Sequence, residues 1–235
     1  MSVLPPPDQK AAYVEQMFSR IAAGYDRMNG ALTLGMDRGW RDLTASSLQL
    51  PPNGFALDVG TGTGDFLPVL AAAMPRGFVV GVDFALPMMQ AGLPKTQSAR
   101  SCFAAADALV LPFADNTFDA ITTGFVMRNV VDIPRAFAEM CRVARPGALI
   151  GCLEVARPEQ PLLRIGHQLY FQRLVPLLAR ALGGDATAYT YLPQSARAFP
   201  PPPALAQIMR DAGWADVSYR LLGFGAAALH IGTKP

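Results

Sequence analysis

The chain has 235 residues, of which 51 % are hydrophobic and 16 % are charged. This composition excludes a disordered chain and favours one globular domain with a large core. The formal net charge is only +2, and acidic and basic residues are interspersed, so we expect no nucleic-acid partner.

The cysteines and the N-terminal segment limit where the protein works. Cys102, Cys141 and Cys152 form no CxxC pair, which predicts free thiols in a reducing compartment and no metal site. The segment "MSVLPPPDQK" lacks the apolar stretch of a signal peptide, and no segment has the roughly 18 uncharged apolar residues of a membrane span. We therefore expect a cytoplasmic protein.

The predicted elements begin with helices and continue as alternating strands and helices. Residues 8–23 have apolar side chains at helical spacing, with Asp8 as a candidate N-cap, and residues 1–50 are predicted to form a helical N-terminal lid. Residues 51–235 are predicted to form a cofactor-binding domain with a helical insert at about 156–203. Predicted strands are 55–59, 78–83, 102–106, 119–125, 149–155, 217–222 and 227–233, and predicted helices include 134–144 and 203–213.

This order of elements predicts an α/β fold. Strand–helix alternation through the first five strands favours a parallel sheet covered on both faces. Only four residues, 223–226, separate the last two strands, so these must be antiparallel neighbours. The sequence therefore predicts a Rossmann-like, seven-stranded, mostly parallel sheet with an antiparallel C-terminal hairpin.

A glycine-rich turn follows the first predicted strand in "ALDVGTGTGDF", residues 56–66. Its glycine spacing fits neither a dinucleotide-binding G-x-G-x-x-G loop nor a Walker loop. The pattern D-x-G-x-G-x-G resembles the first motif of S-adenosylmethionine (SAM)-dependent methyltransferases. The N–H groups of such a turn can bind the methionine carboxylate of SAM.

Acidic residues end the next two predicted strands. Asp83 is placed to accept both ribose hydroxyls, and Asp107 to accept the adenine amino group, with Ala108 or Leu109 against the ring. The alternative is a structural glycine turn with solvated acids. The predicted cofactor-binding residues are Asp58, Gly60, Thr61, Gly62, Thr63, Gly64, Asp83, Phe84, Asp107, Ala108 and Gly124.

Four further segments resemble the UbiE/COQ5 (MenG) family of quinone-ring C-methyltransferases. They are "YDRMN" with "LTLGMDRGW", "GFVMRNVVD", "CRVARPGALIGCLEVARP" and "AYTYLPQSARAFPPPPALAQIMRDAGW". The resemblance implies a class I methyltransferase fold and methylation of a carbon of a polyprenylated quinol, either demethylmenaquinol or the equivalent ubiquinone precursor. The chain departs from the family at Asp37, where the family has His, at Gly124, where it has Ser, and at residues 154–156, which are "EVA" instead of Glu-Phe-Ser.

The resemblance also suggests residues for the chemistry. A quinol carbon becomes nucleophilic as its neighbouring hydroxyl loses a proton, so Arg128 is a candidate to stabilise the phenolate and Asn129 a neutral donor. Candidate bases, in order of preference, are Asp37, Asp26 and His167. The alternatives are an Arg128 that pairs with Asp132 or a helix end, and an Asp37 that is an exposed helix cap. The predicted substrate-binding residues are Tyr25, Asp26, Met28, Asn29, Trp40, Tyr170 and Tyr191.

The insert helix predicted at 162–182 has Arg residues beside a Leu-rich surface. It either contacts the membrane peripherally, as amphipathic helices do, or caps the active site. A second copy of the chain is a further candidate partner. Two other functions stay open: methylation of another apolar acceptor, and a non-catalytic accessory role in quinone synthesis.

Overall fold

A computed structural model describes residues 5–97, 100–158, 160, 166 and 186–235, without the side chains of Pro7, residues 186–190 and Leu192. Its N-terminal region consists of helices α1 (Pro7–Ile21), α2 (Tyr25–Thr33) and α3 (Met36–Ser47). The predicted N-cap at Asp8 is wrong. Pro6 takes that position because Pro7 suits the first helical residue, and Asp8 lies inside the first turn.

Seven strands form one sheet in the order β3-β2-β1-β4-β5-β7-β6. The first five strands in the chain pair in parallel, and β7 is antiparallel to both β5 and β6, which confirms the predicted topology. The strands are β1 (Phe55–Val59), β2 (Phe78–Asp83), β3 (Ser101–Ala105), β4 (Phe118–Gly124), β5 (Ala144–Val155), β6 (Ala215–Leu222) and β7 (Ala227–Thr233). The helices that follow β1 are α4 (Phe66–Ala73), α5 (Leu86–Gly92), α6 (Ile133–Val143), α7 (Ala186–Ala198) and α8 (Pro202–Asp211).

Strand β5 begins five residues earlier than the apolar pattern predicts, at Ala144 rather than at residue 149. Its first half contains Arg145, Pro146 and Gly147, which lack the apolar character of a buried strand. The ladder with β4 shifts register between Phe118 and Ala120, so this polar half pairs only loosely with its neighbour. The pattern therefore detected the buried half of the strand alone.

Both faces of the sheet are covered by buried apolar side chains. On one face, Phe137 of α6 and Leu205 of α8 join a cluster that includes Trp214. On the other, α4 and α3 pack against the sheet. Helix α3 approaches closely because Gly151 of β5 has no side chain: a Cβ there would lie 2.6 Å from Cγ2 of Thr44. The contact with β5 fixes the rotation of α3 and hence the direction of its polar residues.

Within the described ranges, the structure has no helix with the length and hydropathy needed to cross a bilayer. The insert helix predicted at 162–182 lies outside the described residues, apart from Gly166. Tyr170 and His167 are outside them as well, so their predicted roles stay predictions.

Candidate active site

The glycine turn connects β1 to α4 through left-handed backbone conformations. Gly60, Gly62 and Gly64 have φ angles of 69°, 56° and 79°, which side chains disfavour. A Cβ on Gly64 would also lie 2.6 Å from Cζ of Phe103. The turn is therefore restricted to glycine by backbone conformation and, at Gly60 and Gly64, by packing as well.

Asp83 at the end of β2 is bound to this turn. One of its carboxylate oxygens accepts from the Gly62 N–H at 2.8 Å, and the other accepts from the Ala85 N–H at 2.9 Å. Burial raises the pKa of the carboxyl, and these hydrogen bonds oppose the effect. Each oxygen has a second lone pair, so the carboxylate can still accept two ligand hydroxyls.

A cavity of about 330 Å³, here called the cofactor cavity, lies at the carboxyl ends of the parallel strands. This is the size and position at which open α/β sheets bind small molecules. Every predicted cofactor-binding residue except Gly64 lines it, as do Phe18 and Glu15 of α1. Gly64 lies behind the wall, against Phe103.

Asp58 is the most deeply buried carboxylate of this cavity, with 2 % of its surface exposed. It accepts a hydrogen bond from the Thr122 hydroxyl at 2.7 Å. Burial raises its pKa from 3.8 to about 7, although the Thr122 hydroxyl and the charge of Arg41 act in the opposite direction. Asp58 is therefore poised to change its charge near neutral pH.

A second and smaller cavity, here called the acceptor pocket, adjoins the first. Phe18, Tyr25 and Asn129 line both cavities, so no other layer of residues separates them. The other residues that line the pocket are Met17, Ile21, Met28, Asn29, Leu32, Arg128 and Tyr191. The structure thus brings together four of the predicted substrate residues (Tyr25, Met28, Asn29 and Tyr191) and two of the predicted catalytic residues (Arg128 and Asn129).

Arg128 is buried at the inner end of the acceptor pocket, with 7 % of its surface exposed. Its Nη1 donates to the carbonyl oxygen of Phe125 at 2.7 Å and lies 3.7 Å from Oε2 of Glu154. Its Nε has no hydrogen-bond partner. The pairing with Asp132 considered above is wrong, since Asp132 caps α6 by accepting from the Arg135 N–H.

Two local features hold Arg128 in place. Phe125, which accepts its hydrogen bond, has a left-handed φ of 61°, a strained conformation of the kind that occurs at functional sites. Glu154, with 1 % exposure, accepts from the backbone N–H groups of Met127 and Val155. Burial raises the pKa of Glu154, and the Arg128 charge opposes this.

Asn129 is oriented by a residue distant in sequence. The Tyr191 hydroxyl donates to its side-chain oxygen at 3.2 Å. The Tyr191 ring also packs against Tyr13 of α1, with ring centroids 5.7 Å apart. The amide nitrogen of Asn129 donates one hydrogen to the carbonyl oxygen of Phe125 at 3.5 Å, which leaves its second hydrogen to donate within the pocket.

Asp37, the preferred candidate base, lines neither cavity. It is buried, with 5 % exposure, which excludes the exposed cap considered as its alternative. It accepts from the Thr33 hydroxyl at 2.7 Å and from Nη1 of Arg41 at 2.5 Å. Burial opposes its ionisation, but these hydrogen bonds outweigh burial and lower its pKa. A paired carboxylate of lowered pKa, outside the pocket, is poorly suited to be a base.

Two other predicted substrate residues also lie outside the acceptor pocket. Asp26 accepts from the Thr63 hydroxyl at 2.5 Å and pairs with Nζ of Lys95 at 2.7 Å, which connects α2 to the glycine turn. Trp40 packs against Phe125, with ring centroids 6.4 Å apart. Both residues support the walls of the site and do not line it.

Sequence reasoning missed Arg41 and Glu154. Arg41 lines the cofactor cavity, with Nη1 2.5 Å from Asp37 and Nη2 3.0 Å from Asp65. Its i,i+4 spacing from Asp37 was a readable signal of a pair on one helix face. The signal for Glu154 was a charged residue in the apolar strand "LIGCLEV".

Comparisons with known proteins identify the chain as similar to methyltransferases. A sequence model described as the ubiE/COQ5 methyltransferase family matches residues 7–234. The demethylmenaquinone methyltransferase of Roseiflexus castenholzii is 69 % identical over 233 residues, covering 99 % of this chain and 98 % of the relative. That of Lactiplantibacillus plantarum is 40 % identical over 226 residues, covering 94 % and 95 %.

Solved structures confirm the predicted class I methyltransferase fold. A SAM-dependent methyltransferase of Thermotoga maritima superposes with a TM-score of 0.67 at 21 % identity, covering 94 % of this chain and 99 % of that one. At this identity the likeness concerns the fold alone, whereas the family match extends over nearly the whole sequence. The chain belongs to the ubiE/COQ5 methyltransferase family.

Proposed function

We propose that the protein uses SAM to methylate a ring carbon of a polyprenylated quinol, with demethylmenaquinol as the acceptor. One observation carries this proposal: the cofactor cavity and the apolar acceptor pocket share Phe18, Tyr25 and Asn129 as their common wall. The names of the two quinone-methylating relatives support the choice of acceptor. The alternatives are the ubiquinone precursor, another apolar ring, and a non-catalytic accessory role.

The cofactor cavity fits SAM in size and in chemistry. Its glycine turn permits close approach of a ligand to the backbone, and carboxylates stand at the strand ends where a nucleoside presents hydroxyl and amino donors. In the proposed arrangement Asp83 accepts hydrogen bonds from the ribose hydroxyls, and Asp107 accepts one from the adenine amino group. Ala108 and Leu109 lie against the adenine ring. When bound there, SAM supplies a methyl group on a sulfonium, which a nucleophilic carbon can take.

On the acceptor side, the proposed role of Arg128 is to stabilise the quinolate. The unpartnered Nε of Arg128 is a buried donor that faces no protein acceptor. A buried positive charge beside a phenol favours its ionised form. Asn129 adds a neutral donor, because its side-chain oxygen is already bound to Tyr191.

The acceptor pocket offers no carboxylate or imidazole base among the described residues. Its two phenols, Tyr25 and Tyr191, have pKa values raised by burial and are therefore neutral hydrogen-bond donors at physiological pH. We infer that Arg128 lowers the pKa of the quinol itself, so that its hydroxyl proton passes to water and no strong side-chain base is needed. After methyl transfer the ring carbon loses its proton to water and the hydroxyl is restored. Asp37 and Asp26, the bases preferred from sequence, then have structural roles in holding Arg41 and the glycine turn.

The acceptor pocket must open to admit its substrate. Its volume of about 40 Å³ is far below the roughly 300 Å³ of cavities that enclose a small organic ligand. Its walls come from α1, α2, the turn at Met127–Asn129 and Tyr191 of α7, and they include flexible side chains such as Met17 and Met28. We propose that residues 1–50 act as the lid that moves, with the insert helix contacting the membrane that holds the prenyl tail.

A methyl-transfer assay tests the proposal. Purified protein is mixed with SAM labelled in its methyl group and with demethylmenaquinol, a benzoquinol precursor or a tocopherol-like phenol in mixed micelles. Label in menaquinol alone supports the proposed acceptor, and label mainly in another product selects that alternative. Cofactor binding without transfer to any acceptor would support the accessory role and overturn catalysis.

A further inference from the structure

Arg41 lines the cofactor cavity and its Nε has no hydrogen-bond partner, but the proposed reaction gives this residue no role. We propose that Arg41 binds the α-carboxylate of the methionine part of the cofactor, and that Asp37 is the positioning residue that holds Arg41 for this task. The inference rests on the proposed use of SAM. It adds a charged subsite to a site otherwise assigned to backbone N–H groups and carboxylates.

The charge distribution of the cofactor cavity is the first argument. Among its described lining residues are five carboxylates, which are Glu15, Asp58, Asp65, Asp83 and Asp107. Arg41 is the one basic residue among them. A ligand that brings a carboxylate into this negative cavity has a single side-chain cation to bind, and that cation is Arg41.

The hydrogen bonds of Arg41 are the second argument. Nη1 donates to Asp37 and Nη2 contacts Asp65, but Nε is buried and has no partner. The residue is 6 % exposed, so bulk water does not compensate this donor. Buried polar groups are nearly always paired, so a cavity-lining arginine that keeps an unpaired N–H has hydrogen-bonding capacity left for a ligand.

Asp58 supplies the complementary charge for an amino acid. It lines the same cavity, and the charge of Arg41 lowers its pKa, which means that the two groups interact. The α-amino-acid end of SAM carries an ammonium and a carboxylate. Asp58 is the most deeply buried of the five carboxylates, and it can accept from the ammonium while Arg41 donates to the carboxylate.

Asp37 fixes the direction of the guanidinium. It lies one turn before Arg41 on α3 and is itself held by the Thr33 hydroxyl. On the other side, Asp65 contacts Nη2, and the Phe66 ring lies 5.7 Å from the guanidinium carbon. With three of its sides held, the guanidinium needs little reordering when it binds a carboxylate, which favours affinity.

The decisive experiment compares SAM with decarboxylated SAM, which lacks only the α-carboxylate, by titration calorimetry. We expect the full-length wild-type protein to bind SAM about 10- to 100-fold more tightly, as for a charge-assisted hydrogen bond. Arg41→Met should bind both ligands with the wild-type affinity for decarboxylated SAM. Asp37→Asn should reduce the ratio of the two affinities and leave binding of decarboxylated SAM unchanged, which a merely structural effect would not do.

Arg145→Met is the matched control, because Arg145 also pairs with an aspartate, Asp119, but lies at the surface and does not line the cavity. It should keep the wild-type ratio. If Arg41→Met fails to fold, the double variant Arg41→Met/Asp37→Asn removes the stranded carboxylate and allows the same comparison. An Arg41 variant that still discriminates as the wild type does overturns the inference. Failure of the wild-type protein to bind SAM at all would instead overturn the proposed function.

Discussion

The cofactor cavity and the acceptor pocket are built in different ways. Most of the cofactor cavity is formed by strand ends and the turns that follow them, held by hydrogen bonds such as those of Asp83, and side chains of α1 and α3 complete its wall. The acceptor pocket is formed by α1, α2, the turn at Met127–Asn129 and Tyr191, which are far apart in the chain. The first is rigid because the sheet fixes it, and the second depends on tertiary contacts that can separate and re-form.

Each cavity nevertheless contains one buried arginine whose Nε has no partner. Arg41 contacts two carboxylates through its Nη atoms, whereas Arg128 donates to a backbone carbonyl and lies 3.7 Å from Glu154. The charge of Arg128 is therefore less neutralised. In the proposed roles, Arg41 meets an anion that the ligand already carries and Arg128 meets one that develops during the reaction, which gives a reason for their different surroundings. The predictions below test the contrast.

The largest effect is expected at Arg128. Arg128→Met should lower kcat about 10²- to 10³-fold, as for loss of one anion-stabilising donor, without weakening SAM binding. Steady-state transfer to demethylmenaquinol and calorimetry measure the two effects. Arg145→Met is the control, because Arg145 pairs with Asp119 at the surface.

The Arg128 substitution leaves Glu154 buried without its cation, which destabilises folds. Arg128→Met/Glu154→Gln removes this charge and keeps one of the two acceptor oxygens, which can still accept from the Met127 N–H. If the folded double variant turns over at the wild-type rate, Arg128 has no part in the chemistry.

The glycine turn should be the next most sensitive feature. Gly64→Ala combines a left-handed backbone with a clash against Phe103, at a cost of about 2–5 kcal/mol in the free energy of unfolding. Gly147→Ala is a matched control, since Gly147 has a similar φ of 82° but open space around the new Cβ. Its cost should be about 1–2 kcal/mol, with unchanged SAM affinity. Equal losses in chemical denaturation would show that packing at Phe103 is unimportant.

Asp58 should make the cofactor-free protein sensitive to pH. Its pKa in the folded state, about 7, lies above its ordinary value of 3.8, so the folded state holds the proton more tightly. The contribution of Asp58 to the free energy of unfolding is fully present below about pH 4 and is lost as the pH rises through about 7. Between about pH 5.5 and about pH 8 the loss is on the order of 2 kcal/mol.

Asp58→Asn isolates this contribution from the other buried carboxylates. In urea unfolding, the free-energy difference between the variant and the wild type should shift in favour of the variant by that amount as the pH rises. A difference that is independent of pH would mean that Asp58 is ionised throughout the range.

The smallest effect is expected at the lid contact of Asp26. Asp26→Asn weakens the pair with Lys95, and because the Asp26 side chain is 45 % exposed, the loss of stability should be below about 1 kcal/mol. The KM for the quinol should rise while SAM affinity stays the same, because the lid closes less firmly over the acceptor pocket. A change in SAM affinity alone would place Asp26 on the cofactor side.

Prediction from the sequence succeeded where the determining contacts are local. Alternating apolar strands and the short 223–226 connection lead to the observed mostly parallel sheet with its antiparallel hairpin, and the position of Asp83 follows from the end of β2. The bounds of β5 were predicted less well, because its first half is polar and pairs irregularly. The role of Asp37 could not be predicted, since its direction depends on how α3 rotates against Gly151 of β5.

By itself, the sequence determined the fold class, the strand ends that line the cofactor cavity and the family to which the chain belongs. These depend on backbone periodicity and on residues close to one another in the chain. Only the tertiary structure decided that Arg41 faces the cofactor cavity, that Glu154 supports Arg128 and that Tyr191 reaches Asn129. Each of these depends on the packing of one element against another, and a sequence pattern does not specify the rotation and distance of that packing.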